Sequence, residues 1–311
     1  MVSQVSGKIS REFRDFLPGL GWAESGLGLA RVAEKSLPRP WRGPDGFALA
    51  TIPASPKMAY VVPFRALRYD PQRVSLPQVV TQPYDKITPE MQERYYSASA
   101  NNLVRIILGQ RPAGDSGQDN VYTRAASFFQ DWRRQSIFLQ ESRPCLYLYT
   151  QRFVFPETKG EYERRGFIGL GRLEDYSAQV VFRHEQTLAK PKADRLDLLR
   201  ATRAHFEQLF MLYGDPGGEL DGLLTVGGAA ELEVRDEYGV LHRVWRISDP
   251  DVIGLVQAKM RDQKLIIADG HHRYETALSY RDERRAAAAA LARGATPSLR
   301  VSSPSPMTCR R

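Results

Sequence analysis

Two histidines, an aspartate, a glycine and an arginine stand together in Asp269-Gly-His-His-Arg273, directly after the apolar run Leu265-Ile-Ile-Ala268. Histidines 271 and 272 are able to move protons near neutral pH. Arg273 could grip a phosphate in a two-pronged fork, Gly270 would let backbone approach a ligand closely, and Asp269 could hold a metal ion or a substrate hydroxyl. A second polar run, His184-Glu-Gln-Thr187 followed by Lys190, Lys192, Asp194 and Arg195, offers an acid or base in Glu185 or His184 and cations for a phosphate. Each of these residues also has a plainer use. Asp269 can cap a helix, Arg273 can pair with Glu275, the histidines can sit on the surface, and the basic run can be a solvated loop capping a helix. The density of special residues after an apolar strand weighs against the plain reading of the first run. For the second, spacing alone slightly favours it.

The elements that would position these residues follow from periodicity. Leu265 to Ala268 reads as a buried strand, Asp269-Gly270 breaks it, and from His271 the spacing is helical, with Tyr274, Ala277 and Leu278 on one face. The start of a helix carries unpaired N–H groups and partial positive charge, and it attracts phosphates. The second run is expected to be a strand from Val180 ending in His184-Glu185, a loop bearing Thr187, Lys190 and Lys192, and then a helix with Asp194, Arg195 and Leu198-Leu199. Asp85 lies in Gln82-Pro-Tyr-Asp85, a turn before a helix capped by Thr88 with Pro89 at its first position; it faces a ligand or bonds its own backbone with equal weight.

Elsewhere, Leu103 to Leu108 reads as a β-branched strand, and Asn120 to Gln135 as an amphipathic helix with Phe128, Phe129 and Trp132 inward. Leu146 to Phe155 and Gly166 to Leu173 form a hairpin pattern, as do Glu231 to Val234 and Val240 to Ile247. Phe210 to Tyr213 reads as a strand and Asp249 to Met260 as a helix. The fold class expected is α+β, a mixed α/β core with inserted β-hairpins. No Walker loop, Rossmann fingerprint, zinc-spaced cysteine set or Gly-x-Ser-x-Gly elbow occurs in the 311 residues.

The net charge of +8 is concentrated at the two ends. Residues 1–57 hold eight Lys/Arg against five Asp/Glu, and residues 286–311 hold four Arg and no acid. The middle is nearly neutral, which argues against a nucleic-acid surface there. No apolar run reaches membrane-spanning length and no signal-peptide core opens the chain, so a cytoplasmic protein is expected. Residues 1–57, broken by Gly and Pro, are expected to be a weakly ordered extension with one short helix near Ser10–Phe16. Residues 58–285 would be the main domain, and residues 286–311 a Ser/Pro/Arg-rich tail after alanines that prolong the last helix.

Ala268-Asp-Gly-His-His-Arg-Tyr-Glu-Thr-Ala-Leu278 resembles the signature of the family known as domain of unknown function 1015. The resemblance continues through Pro63-Phe-Arg-Ala-Leu-Arg-Tyr69, Gln82-Pro-Tyr-Asp-Lys-Ile87, Gly166-Phe-Ile168, His184-Glu-Gln-Thr187 and Asp194-Arg-Leu196, in that order. Members of that family continue with folded sequence beyond this region. The resemblance therefore implies a reading frame cut or shifted near Ala286–Leu291, and a start upstream of the family's own near Met58. The Asp-Gly-His-His-Arg core is also similar, more distantly, to the ParB/sulfiredoxin-like superfamily, which includes nucleotide-binding partition proteins and free serine kinases.

That likeness implies a ParB/sulfiredoxin-like core and a kinase of a small-molecule hydroxyl, using magnesium with ATP or ADP. Asp269, His271, His272, Glu185 and His184 are the candidates for chemistry. Gly270, His271, Arg273, Lys190, Lys192 and Arg195 are the candidates for phosphate, Asp85, Thr187 and Glu275 for substrate, and Asp269 for the metal. Two other readings stay open. One is a ParB-like nucleic-acid-associated protein, for which no basic helix-turn-helix is visible. The other is a metal-dependent hydrolase built on His184, His271, His272 and Asp269. The oligomeric state is not legible.

Overall fold

In a computed structural model of the chain, residues 3–5, 58–185 and 189–292 are described. The chain divides into two units, residues 1–8 with 58–311 and residues 9–57, and the described residues all belong to the first. The helix expected near Ser10–Phe16 and the tail beyond Ala292 lie outside the described residues.

In chain order the strands are β1 (Ser3–Val5), β2 (Val61–Val62), β3 (Leu67–Tyr69), β4 (Phe138–Gln140), β5 (Leu146–Val154), β6 (Glu161–Gly171), β7 (Val181–Phe182), β8 (Phe210–Leu212), β9 (Leu232–Arg235), β10 (Leu241–Ile247) and β11 (Leu265–Asp269). The α-helices are α1 (Leu76–Val79), α2 (Pro89–Ala98), α3 (Val104–Ile107), α4 (Val121–Arg134), α5 (Ala189–Thr202), α6 (Glu219–Leu223), α7 (Pro250–Arg261) and α8 (His271–Ala292). A mixed sheet runs β7-β11-β8-β1-β6-β5-β10-β9, with β2 added beside β6, and β3 pairs separately with β4. The fold is α+β.

Local chemistry accounts for most of these elements. β5 and β6 pair antiparallel, Tyr147 opposite Ile168 and Val154 opposite Glu161. Leu146, Tyr147 and Leu148 are buried while Val154 and Tyr162 are exposed, so the hairpin enters the core only at its inner end. Asn120 caps α4 by accepting from the N–H groups of Tyr122 and Thr123, and Thr123 reciprocates by accepting from Asn120 N at 2.9 Å. Thr88 caps α2 and Asp249 caps α7, each with proline at the helix start.

Two apolar clusters result. The larger joins the sheet to α6, α7 and α8 through residues such as Leu146, Phe167, Met211, Leu220, Val256, Ile267 and Tyr274. The smaller holds Tyr69, Val79, Ile106, Phe129, Trp132 and Leu198.

Three expectations are corrected. Leu103–Leu108 is not a strand: Val104–Ile107 is a helical turn, and buried Asn102 just before it accepts from Val104 N at 3.0 Å. A run this short, with Arg105 its single polar member, shows no clear period. Lys190 and Lys192 lie within α5, which begins at Ala189, and not in a loop before it. β11 is buried on one face only, with Leu265 and Ile267 inside and Ile266 exposed. In addition, Ser3–Val5, from the stretch read as an extension, forms β1 between β6 and β8.

Candidate functional site

β7 and β11 lie side by side and parallel, Leu265 opposite Val181, so the chain leaves both strands in the same direction. β7 leads into the bend at His184-Glu185, and β11 leads into Gly270-His271. Two stretches some ninety positions apart are thereby brought to one end of the sheet, as happens at the carboxyl ends of neighbouring parallel strands.

Gly270 makes the turn from strand to helix with φ of +95°, a conformation open chiefly to glycine. A side chain there would also meet Leu209 Cδ2 at 2.9 Å. Its carbonyl accepts the first helical bond of α8, from Tyr274 N at 2.9 Å. Tyr274 then fixes the helix against the segment before β7: its hydroxyl donates to Glu174 O at 2.7 Å and accepts from Glu174 N at 3.1 Å.

His271, the first residue of α8, points into the protein and is 1% exposed. Its Nδ1 lies 2.8 Å from Glu185 Oε1, and the His184 ring stands edge-on to its own at 4.5 Å between centroids. Among the described residues, neither ring nitrogen of His271 has a hydrogen-bond partner of acceptable geometry. Burial holds its pKa below the ordinary histidine value, outweighing the opposite pull of the Glu185 carboxylate. Burial thereby favours the neutral imidazole. One ring nitrogen of each of these two histidines and a carboxylate oxygen of Glu185 all lie within 4.8 Å of one another.

One turn further along α8, Glu275 receives Lys192 Nζ at 2.9 Å and Arg183 Nη1 at 3.2 Å. Thr276, buried, donates to Lys192 O at 3.4 Å. Arg183 also lies over the Tyr176 ring at 4.8 Å. Two cations and a carboxylate therefore border the histidine cluster, with both cations bonded to Glu275.

The opposite side of the turn is arranged differently. Arg273 bonds the Asp269 carboxylate and the carbonyl of Gln208. Arg195 is buried and gives its fork to Asp194, at 3.0 and 2.6 Å, and to Ile107 O at 2.7 Å. Its remaining arm lies 3.5 Å from Glu207, and its plane covers the Tyr84 ring at 4.0 Å. Glu207 in turn accepts from Tyr84 N at 3.0 Å. Between these groups lies a cavity of about 40 Å³, lined by Arg195, Leu199, Glu207, Leu209, Arg273 and Thr276 among others. Burial pushes His205, on its wall, down to about 4.

The structure therefore sorts the sequence candidates. It brings together His184, Glu185, His271, Lys192 and Glu275. Asp269 and Arg273 are paired with each other on the far side of the turn, so Asp269, expected to hold magnesium, has its charge matched by a guanidinium. Arg195, expected to bind phosphate, is saturated by Asp194, Glu207 and a backbone carbonyl. Asp85 is exposed next to Tyr84. His272 is half-buried and turned about 100° round the helix from His271, outside the group of three. Thr187 lies outside the described residues, as does the side chain of Lys190. Sequence reasoning passes over Arg183, Glu207 and Tyr84; Arg183 and Tyr84 sit inside or beside the motifs quoted above, whereas nothing local marks Glu207.

No helix among the described residues is long and apolar enough to cross a membrane. No curated protein matches the chain. Neither does any solved structure. A family model does match, over residues 61–302, and that span includes both histidine motifs and every strand from β2 to β11. The chain belongs to the family described as Protein of unknown function (DUF1015).

Proposed function

We propose that the chain is a phosphate-binding enzyme that transfers a phosphoryl group from ATP or ADP to the hydroxyl of a small molecule. The observation that carries this reading is the start of α8: a left-handed glycine delivers a strand into a 22-residue helix whose first residue is a buried histidine with no hydrogen-bond partner among the described residues. An unsatisfied buried group of this kind costs free energy and persists where a ligand uses it.

In this reading the N-terminal N–H groups of α8 hold the transferred phosphate, and Lys192 moves from Glu275 to the phosphate as it arrives. Glu185 takes the proton from the acceptor hydroxyl. The acceptor oxygen forms the new bond to phosphorus while the bridging oxygen bond of the donor breaks, and the electron pair leaves with the donor's remaining phosphate. Positioning and charge stabilisation are the main demands of such a transfer. Asp269, held by Arg273, fits magnesium poorly, and no step is assigned to that ion there. Arg273 acts instead by holding the turn in shape. The kinship with free serine kinases suggests a serine-like acceptor and rests on the motif.

A thermal-shift scan of the full chain against ADP, ATP, CTP and inorganic phosphate tests the reading. Each ligand is taken with and without magnesium, and a zinc-selective chelator is present throughout. A nucleotide is expected to raise the melting temperature, and Lys192→Ala to reduce that rise while leaving the ligand-free transition in place. A cooperatively melting protein that responds to none of the four overturns the reading.

A further inference from the structure

We propose that His184, Glu185 and His271 form a binding site for a divalent ion of the zinc class. Nothing in this inference depends on nucleotide binding; with the ion bound, Glu185 is a ligand and not the base of the transfer above.

The ligand types point to such an ion. Imidazole nitrogens suit zinc and its transition-metal neighbours, whereas magnesium prefers an all-oxygen shell. Two histidines and one carboxylate are a three-ligand set that leaves a fourth position for water or substrate, the arrangement of zinc sites that do chemistry. The geometry is close to what is needed. Ligands around a tetrahedral zinc stand about 3.3 Å apart, given bonds of about 2.0 to 2.1 Å. Here Glu185 Oε1 and His271 Nδ1 are 2.8 Å apart, and the three donor atoms lie within 4.8 Å of one another. His271 is the fixed member, locked under α8. His184 and Glu185 are exposed and free to close the remaining distance.

The backbone supports both neighbours acting together. Consecutive side chains of a strand point to opposite faces. β7 ends at Phe182, however, and the chain bends at His184-Glu185, so both can face the first turn of α8. The second observation is the state of His271. Both of its ring nitrogens are buried and neither has a hydrogen-bond partner among the described residues. A metal satisfies one directly. Glu275, the carboxylate one turn along, is engaged by Lys192 and Arg183, which keeps those two cations at a distance set by their own partner.

The test uses the full chain without a histidine tag, stripped by a chelator and desalted. Zinc chloride is titrated in competition with a chromophoric chelator, and cobalt chloride is followed by its visible absorption. One equivalent of zinc is expected, together with a cobalt spectrum of low coordination number. His184→Ala and Glu185→Gln should each weaken zinc binding more than tenfold and alter the cobalt band. Both side chains are exposed, so the metal-free melting temperature should stay at the wild-type value. His205→Ala, His242→Ala and His272→Ala should leave affinity and stoichiometry unchanged. Binding of less than one equivalent by the folded wild type, or binding undiminished in both ligand variants, overturns the proposal. Because no nucleotide is present, either result leaves the phosphate reading to its own test.

Discussion

Glu141 and His271 are both buried polar side chains, at 5% and 1% exposure, and the protein treats them in opposite ways. Glu141 comes directly after β4 and is saturated: Arg68 donates to it at 2.7 Å and Arg246 at 3.0 Å, while its backbone carbonyl takes Arg65 at 2.7 Å. Burial alone would raise its pKa, but the two guanidinium groups outweigh that and hold it below the ordinary glutamate value. It ties the β3–β4 pair to β10 through both of its carboxylate oxygens. His271 opens α8 with an exposed carboxylate as its nearest ionic neighbour and no completed hydrogen bond among the described residues. The contrast separates a polar group whose partners lie within the fold from one with no completed bond among the described residues.

Removing a partner from a buried charge network should produce the largest effect. Glu141→Ala leaves two arginines without their shared carboxylate and is expected to lower stability by about 3 kcal/mol, read by urea unfolding, with zinc affinity unchanged. If zinc affinity fell as well, the two regions would not be separable. Gly270→Ala comes next. The positive φ and the contact with Leu209 together should cost about 2 kcal/mol, and because the turn aims His271, zinc affinity should fall with stability. A variant that lost neither would contradict the aiming role.

The two buried groups should also differ in pH. The folded pKa of each lies below its unfolded value, so each contribution is complete above the unfolded value and is lost as pH falls through the folded one. For His271 that window opens below the ordinary value of 6.5, and for Glu141 below 4.5. In metal-free protein, His271→Leu should flatten the loss of stability that begins below 6.5, and Glu141→Gln the loss that begins below 4.5. Thermal unfolding from acid to neutral pH reads both. Interchanged windows would break the comparison.

His271→Leu sharpens it further at neutral pH. Replacing an unsatisfied buried imidazole with an apolar side chain is expected to leave stability unchanged or raise it by about 1 kcal/mol, while zinc binding is lost. A loss of several kcal/mol would mean that His271 belongs with Glu141 as a structural group. The smallest effect is expected from Lys192→Ala, where breaking a half-exposed pair with Glu275 should change stability by less than about 0.5 kcal/mol.

Much of this architecture is written locally. The break at Asp269-Gly270, the helix from His271 and its buried face of Tyr274 and Ala277 are visible in the spacing, as are the Asn120 cap of α4 and the β5–β6 and β9–β10 hairpins. Each depends on residues within a turn or a strand of one another, and periodicity and capping report that range directly. The helical turn at Val104–Ile107 escaped because a single turn, with Arg105 its one polar residue, is too short to reveal a period.

By itself, the sequence determined the family, the strand-glycine-helix turn and the presence of two polar motifs able to do chemistry. Only the tertiary structure decided which members of those motifs meet. Arg195 and Arg273 look like phosphate ligands in the chain, yet each is claimed by a carboxylate and a carbonyl. His271 looks like its neighbour His272, yet one faces the interior and the other is turned away. His184 and Glu185 reach His271 because β7 and β11 run parallel and adjacent. Strand pairing between such distant parts of the chain is fixed by global packing of the core, and no local pattern encodes it.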